Sequence, residues 1–228
     1  MSARRSPRLP PEELAPYLLG LPDPPAPFDW AAVFGADRPV EIEVGFGKGL
    51  FLLTAAQARP DVNFVGAEIV RKYQLFTATR LAKRGMRNVR VACADARLFL
   101  RDRVASGSVH ALHVYFPDPW WKKRHHKRRL FTPEFAAECA RVLRPGGRLH
   151  FVTDVEDYFH MAAGLLAAQA ALRPLPPPEP GDPRHDLDYL TNFERKFRKQ
   201  GKPVWRACYE RGDPPASQGN TDGPALAP

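Results

Sequence analysis

Across the middle of the chain, short apolar runs alternate with stretches of helical periodicity, and this alternation leaves few folds open. Val40 to Val44, Val62 to Ala67, Val89 to Ala92, Val109 to Tyr115 and Arg148 to Thr153 read as strands. Between and after them, Leu50 to Ala58, Arg71 to Arg84, Ala96 to Val104, Pro133 to Leu143 and Tyr158 to Leu172 read as helices. On the second helix Tyr73, Phe76 and Leu81 are available for burial. Thr132 is placed to cap the fourth, Pro133 suits its first turn, and Arg144-Pro145-Gly146-Gly147 ends it. Strand–helix repetition requires right-handed crossovers, so the expected fold is α/β, a doubly wound, mostly parallel sheet. Such sheets bind ligands beyond the carboxyl ends of their strands.

Proline sets the limits of this region. Eight of the 25 prolines fall within Pro7 to Pro27, six within Pro174 to Pro183 and four within Pro214 to Pro228. Residues 1–37 are therefore expected to be a Pro-rich, partly disordered arm, residues 38–211 the folded domain, and residues 212–228 a disordered tail. Pro174 to Pro183 reads as a linker or surface loop. With 44% hydrophobic residues, 228 residues are enough to bury a core. No apolar run reaches the roughly 18 residues of a membrane span; Met161 to Leu172 comes nearest and contains Gln169. Met1 to Gly20 lacks the apolar run of a signal peptide. Cys93, Cys139 and Cys208 are scattered and form no CxxC pair, which excludes a disulfide scaffold and argues against a cysteine-rich zinc site. The expectation is a cytoplasmic protein with no membrane and no metal partner; monomer and homodimer both stay open.

The net charge of +9 is concentrated. Lys122 to Arg129 carries six bases and no acid, Glu194 to Arg206 six bases and one acid, and the remainder is slightly acidic. Two dense patches on a globular domain point to a polyanion rather than to general solubility.

The strand ends supply the chemistry. The first runs into Glu43-Val44-Gly45-Phe46-Gly47-Lys48-Gly49, where glycines let the backbone turn sharply and approach a ligand. The spacing is G-x-G-x-G behind an acid, not the G-x-G-x-x-G of a dinucleotide loop. It suits a nucleoside bearing an amino acid, although three glycines also make a plain structural turn. The second strand ends at Glu68, whose carboxylate can accept from both hydroxyls of a ribose. The third ends at Asp95, which can accept from an adenine amino group or cap the helix that follows. Glycine loop and successive acids together resemble the S-adenosylmethionine-dependent methyltransferases. The fourth strand ends in Tyr115-Phe116-Pro117-Asp118-Pro119-Trp120-Trp121. Two prolines stiffen a carboxylate between aromatics that can stack on a base while the acid accepts from N–H groups on its edge. The basic run Lys122-Lys123-Arg124-His125-His126-Lys127-Arg128-Arg129 follows at once, beside that edge. His125 and His126 read as phosphate or base contacts, since adjacent histidines rarely converge on one metal.

Pro117 to Arg129, together with Thr191-Asn192-Phe193-Glu194, Gly201 and Val204, resembles the signature of the bacterial tRNA (guanine-N7)-methyltransferases. Glu43, Glu68, Asp95 and Asp154 fall where that family carries its acids, and the resemblance spans Val40 to Tyr209. It implies a seven-stranded sheet of the class I (Rossmann-like) methyltransferase type, S-adenosyl-L-methionine as cofactor and tRNA as partner. It further implies that Glu43, Gly45, Glu68, Asp95 and Asp118 hold the cofactor, with Asp118 also at the target base as the catalytic residue. Lys122, Asp154, Thr191, Asn192, Phe193 and Glu194 would contact the substrate, and Arg124, His125, His126, Lys127, Arg128 and Arg129 would lie against RNA. Trp121 departs mildly from the family, many of whose members have histidine there.

The expected reaction is methyl transfer to N7 of a guanosine in the tRNA variable loop. N7 carries no proton, so the residues must align and stabilise rather than deprotonate. Asp118 is the expected acceptor from guanine N1–H and the exocyclic amine; Asp154 and Glu194 are the other candidates, and the sequence does not choose among them. A methyltransferase for another RNA base nitrogen would share Asp118-Pro119-Trp120. A non-catalytic RNA-binding module would explain the basic patches but not the glycine loop and its acids. A nicotinamide oxidoreductase conflicts with the glycine spacing and the basic run.

Overall fold

The structure is a computed structural model that describes residues 9–120, 123–179, 181, 183 and 190–212. In chain order it contains α1 (Pro11–Leu14), α2 (Trp30–Phe34), β1 (Val40–Val44), α3 (Leu50–Ala58), β2 (Asn63–Glu68), α4 (Arg71–Ala82), β3 (Val89–Cys93), α5 (Ala96–Arg103) and β4 (Val109–Tyr115). These are followed by α6 (Pro133–Val142), β5 (Leu143–Thr153), α7 (Glu156–Ala167), β6 (Leu172–Leu175), α8 (Asn192–Lys199) and β7 (Trp205–Arg211). Short 3₁₀ turns occupy Ala15–Tyr17 and Lys123–Arg128. The seven strands form one sheet in the order β3-β2-β1-β4-β5-β7-β6, parallel except for β7, which runs antiparallel to both β5 and β6. Both faces are covered, as parallel sheets require.

Period-two alternation on β1 sets the layout. Val40, Ile42 and Val44 join the core beneath α5, α6 and α7, where Phe99, Phe135, Phe151 and Tyr158 are buried. The intervening Glu41 and Glu43 therefore face the opposite layer, built by Leu52 and Leu53 of α3 and Ala78 and Leu81 of α4. Strand order reverses between β1 and β4, so the loops after those two strands open at one edge.

The structure departs from expectation in three places. The proline-rich stretch before residue 38 packs through apolar side chains on either side of an exposed segment, Gly20 to Pro27. Leu14 and Tyr17 are buried against α4, Leu18 bridges to Val91, and Leu19 and Trp30 enter the other core, so this segment wraps the free edge of β3. Its prolines point to disorder, but its large apolar side chains favour burial, and burial wins. Second, the last long helix stops at Ala167, and Leu172 instead starts an edge strand that contains Pro174. Edge position tolerates the missing N–H. Third, Arg144-Pro145-Gly146-Gly147 forms a bulge inside β5, where the register against β4 jumps from Val109–Leu143 to Ala111–Arg148. The expected tail lies outside the described residues after Gly212. Among the described residues, no helix is long and apolar enough to cross a membrane. Nor does any group of three or more His, Cys, Asp or Glu converge as a metal site would require.

Candidate active site

Gly45, Gly47 and Gly49 all take left-handed φ, at 72°, 50° and 66°, and so turn the chain from β1 into α3. The loop is pinned by Gly45 N–H to the Ala67 carbonyl (2.8 Å), Gly49 N–H to the Phe46 carbonyl (2.7 Å) and the Arg80 guanidinium to the Lys48 carbonyl (2.6 Å). A Cβ on Gly49 would stand 2.4 Å from Thr77 Cγ2. Thr77 is β-branched within α4 and cannot swing aside easily. Gly49→Ala is thus expected to cost roughly 2–3 kcal/mol, as left-handed strain plus overpacking, read as a lower denaturation midpoint at unchanged m-value.

Two acids meet at this loop. Glu68 accepts from the N–H of Gly47 (3.0 Å) and of Val70 (2.9 Å), so it joins the first two strand-end loops. Glu43 is 3% exposed, and its Oε2 has no hydrogen-bond partner. Burial, reinforced by the charge of Glu68, pushes its pKa up to about 8. A buried carboxyl with one unpartnered oxygen is held neutral by burial and favours a cationic ligand that lets it ionise. Ile69, Val70 and Leu98 leave apolar surface exposed after β2 and at the start of α5. Asp95, by contrast, is engaged within the protein. It caps α5 through Arg97 N–H (2.9 Å) and forms a two-point pair with the Arg97 guanidinium (3.2 and 2.8 Å), which holds its carboxyl below the usual range.

The loop after β4 is strained and braced. Phe116 and Trp120, at φ 51° and 45°, bracket Pro117-Asp118-Pro119 in a conformation that bulky residues seldom adopt. Phe116 N–H donates to the Val152 carbonyl (2.7 Å), and Arg129 Nε donates to the Pro119 carbonyl (2.8 Å) while lying over the Tyr158 ring. Arg128 stacks on Trp120, with His125 edge-on to the same ring. Asp118 itself is exposed. The end of the basic run thus holds this turn: Arg129 is spent internally, whereas Arg124 and Arg128 reach the surface. Lys122, and the side chains of His126 and Lys127, lie outside the described residues.

Thr191-Asn192-Phe193-Glu194 starts α8 as a capping box. Thr191 Oγ1 accepts from Glu194 N–H (3.0 Å), and the Glu194 carboxylate accepts from Leu190 N–H (2.7 Å). Glu194 is 2% exposed and pairs with Arg206 at 2.5 Å, with Arg198 at 3.8 Å. Asn192 accepts from Arg195 (3.3 Å). Phe193, in contrast, is 55% exposed and stacks on Phe116 at 6.0 Å, which brings the start of α8 to the Asp118 turn. Asp154 follows β5 at the same edge and is half-buried.

A polar chain on the α3 face of the sheet escapes sequence reasoning. Arg59 makes a two-point pair with Glu41 (2.5 and 2.9 Å), Glu41 contacts His113 Nε2 (2.9 Å), and His113 Nδ1 meets the Tyr115 hydroxyl (2.7 Å). His150 stacks on His113, and the group borders a cavity of about 760 Å³. Despite burial, the hydrogen bond and charge of His113, together with Arg59, bring Glu41 down to about 2. Polar residues at alternate positions of otherwise apolar strands are the one signal of it in the sequence.

Comparison with known proteins adds five findings. A family model described as "Putative methyltransferase" matches residues 37–207. The tRNA (guanine-N(7)-)-methyltransferase of Rhodopirellula baltica is 47% identical over 195 residues, covering 83% of this chain and 72% of that protein. The enzyme of the same name from Ralstonia nicotianae is 39% identical over 201 residues, covering 88% and 79%. Among solved structures, the 16S rRNA methyltransferase KamB superposes with TM-score 0.60 at 18% identity, covering 85% of this chain and 95% of that one. The 16S rRNA (adenine(1408)-N(1))-methyltransferase from Catenulisporales acidiphilia gives 0.57 at 19%, covering 82% and 93%. At such identities these two show the class I methyltransferase fold alone.

Proposed function

The chain belongs to the tRNA (guanine-N(7)-)-methyltransferase family, and from that premise we propose that it methylates N7 of a guanosine in the variable loop of cytoplasmic tRNA, with S-adenosyl-L-methionine as donor. The observation that carries the reading is the pairing of the Glu43 loop with the Asp118 turn. β1 and β4 are neighbours, with Glu43 opposite His113 and Val44 opposite Val114, so the two loops open side by side.

The residues of the first loop fit the cofactor. The unpartnered Oε2 of Glu43 suits its positive charge, the glycines leave room for close approach, and Glu68 keeps lone pairs for ribose hydroxyls. Bound there, the cofactor supplies an electrophilic methyl group. Asp118 accepts from N1–H and the exocyclic amine of guanine, which orients N7 and stabilises the cation that forms on the base. Of the three candidate acceptors, Glu194 is occupied by Arg206 and Leu190, which supports Asp118. Phe193, stacked on Phe116, offers the base an aromatic face. Alignment of this kind is worth roughly 7–11 kcal/mol in well-oriented reactions.

A proton balance tests the Glu43 assignment. In the free protein Glu43 holds its proton to about pH 8, whereas the unfolded chain releases it near the ordinary 4.5. The ligand-free fold therefore loses stability as pH rises from 4.5 to 8. A cation bound beside Glu43 reverses the preference, so cofactor binding at pH 7 should release a proton and tighten toward pH 8. Calorimetry in buffers of different ionisation enthalpy reads that proton, and Glu43→Gln should abolish it. The reaction itself is read by transfer of labelled methyl from S-adenosylmethionine to unmodified tRNA with nucleoside analysis. The expected product is 7-methylguanosine, lost when the variable-loop guanosine is replaced. Another methylated nucleoside would overturn the role of Asp118.

A further inference from the structure

A third basic surface escapes any search for contiguous charge. Between Arg71 and Arg90 the chain carries seven bases and no acid. On α4 and the turn after it, Lys72, Phe76, Arg80 and Lys83 fall four, four and three residues apart, a single helical stripe. Lys72, Lys83 and Arg84 are exposed, and none of the seven bases pairs with a described carboxylate. Phe76, available for burial on sequence grounds, is 48% exposed with the Arg80 guanidinium 5.7 Å from its ring centroid. Burial and the neighbouring Arg84 lower the pKa of Arg80, while burial and Arg87 lower that of Arg90, offset in part by Tyr17. The nearest helix, α1, brings only Glu12 and Glu13. An apolar ring held open among cations that pair with no described carboxylate is costly as mere surface and apt as a base-stacking platform on a phosphate track.

We propose that the outer face of α4 is a second RNA-docking surface, which follows the backbone of the same tRNA away from the reacting guanosine. The placement carries this. α4 starts at the carboxyl edge directly after Glu68-Ile69-Val70, and Arg80 braces the glycine loop. The stripe from Lys72 to Lys83 then runs about 16 Å down the side of the sheet. The basic run after β4 lies on the opposite side of the β1–β4 opening. A polynucleotide reaching that opening is therefore flanked by cations on both sides. A second copy of this chain fits poorly, because an isologous contact would press two positive faces together. The inference rests on tRNA being the substrate.

The test is Lys72→Ala, Lys83→Ala and Arg84→Ala combined in the full chain, with tRNA binding followed by fluorescence anisotropy across a salt series and turnover measured separately. Removing one cation from its phosphate should lower the slope of log K against log salt by roughly 0.7–0.9. The triple variant is expected to lose about 2 from the slope and to bind tRNA at least tenfold more weakly near 0.1 M salt. Its kcat at saturating tRNA and its cofactor affinity should stay within twofold of the parent. Should the triple variant fold poorly, the single variants each carry the change in slope expected for one cation. An unchanged slope and affinity would overturn the proposal, as would a shift in oligomeric state with tRNA binding intact. Binding without methyl transfer by the parent would sink the enzymatic reading alone, since the slope is read from binding.

Discussion

Asp118→Ala is expected to lower kcat for tRNA methylation by about 10²–10³, the range seen when one preorganised transition-state contact is removed. The fold should be untouched. Asp118 is exposed and has no hydrogen bond or ion pair with a described residue, and its turn is held by neighbours. Phe116 is tied to Val152, Pro119 to Arg129, and two prolines fix the backbone between them. The thermal midpoint of the variant should therefore match the parent within a degree or two. Asp118→Asn separates shape from charge. An amide keeps one acceptor but offers no negative charge to a base turning cationic, so it should recover only part of the loss. A variant within threefold of the parent kcat would remove Asp118 from the chemistry. Asp154, half-buried at the end of the neighbouring strand, would then be the next carboxylate to replace.

The strain at this turn explains why it is legible in sequence at all. Pro-Asp-Pro with aromatics on both sides is locally unusual, and a chain holds Phe116 and Trp120 at positive φ only when the surroundings impose it. The glycine loop is legible for a similar reason, since three left-handed positions in five residues demand glycine. The first five strands are readable from apolar runs, because a parallel sheet buries both faces. What stays hidden depends on tertiary context. β6 carries a proline, and only its place at the sheet edge makes it a strand. Asp95 could cap a helix or meet a ligand, and only the orientation of Arg97 shows the first. The α4 surface is spaced by helical period, so its charge is diluted along the sequence and concentrated only in space. Phe76 is apolar enough for the core, but Leu81 and Ala78 already fill the face that points inward.

Arg206→Met should be the most destabilising single change at the site, by about 3 kcal/mol, because it strips a buried carboxylate of its close partner. Glu194 is 2% exposed, and without Arg206 it would keep, among the described residues, Leu190 N–H and an Arg198 guanidinium 3.8 Å away. For a chain of this size the loss corresponds to roughly 6–12 °C in thermal midpoint. Glu194→Gln should be milder, since the amide oxygen can still accept from Leu190. The double variant should cost less than the sum of the two, a coupling that identifies the pair. The kinetic consequence separates anchor from ligand. If Glu194 holds the start of α8, the loss at 25 °C should fall on KM for tRNA, because Phe193 would no longer be pinned against Phe116. Cofactor affinity should stay unchanged, and kcat at saturating tRNA should stay near the parent value. If Glu194 instead meets the guanine directly, Glu194→Gln should depress kcat at an unchanged midpoint, whereas Arg206→Met should disturb stability far more than turnover. The geometry favours the first outcome: a carboxylate already satisfied by an arginine and a backbone N–H at 2.5 and 2.7 Å has little left with which to bind a base.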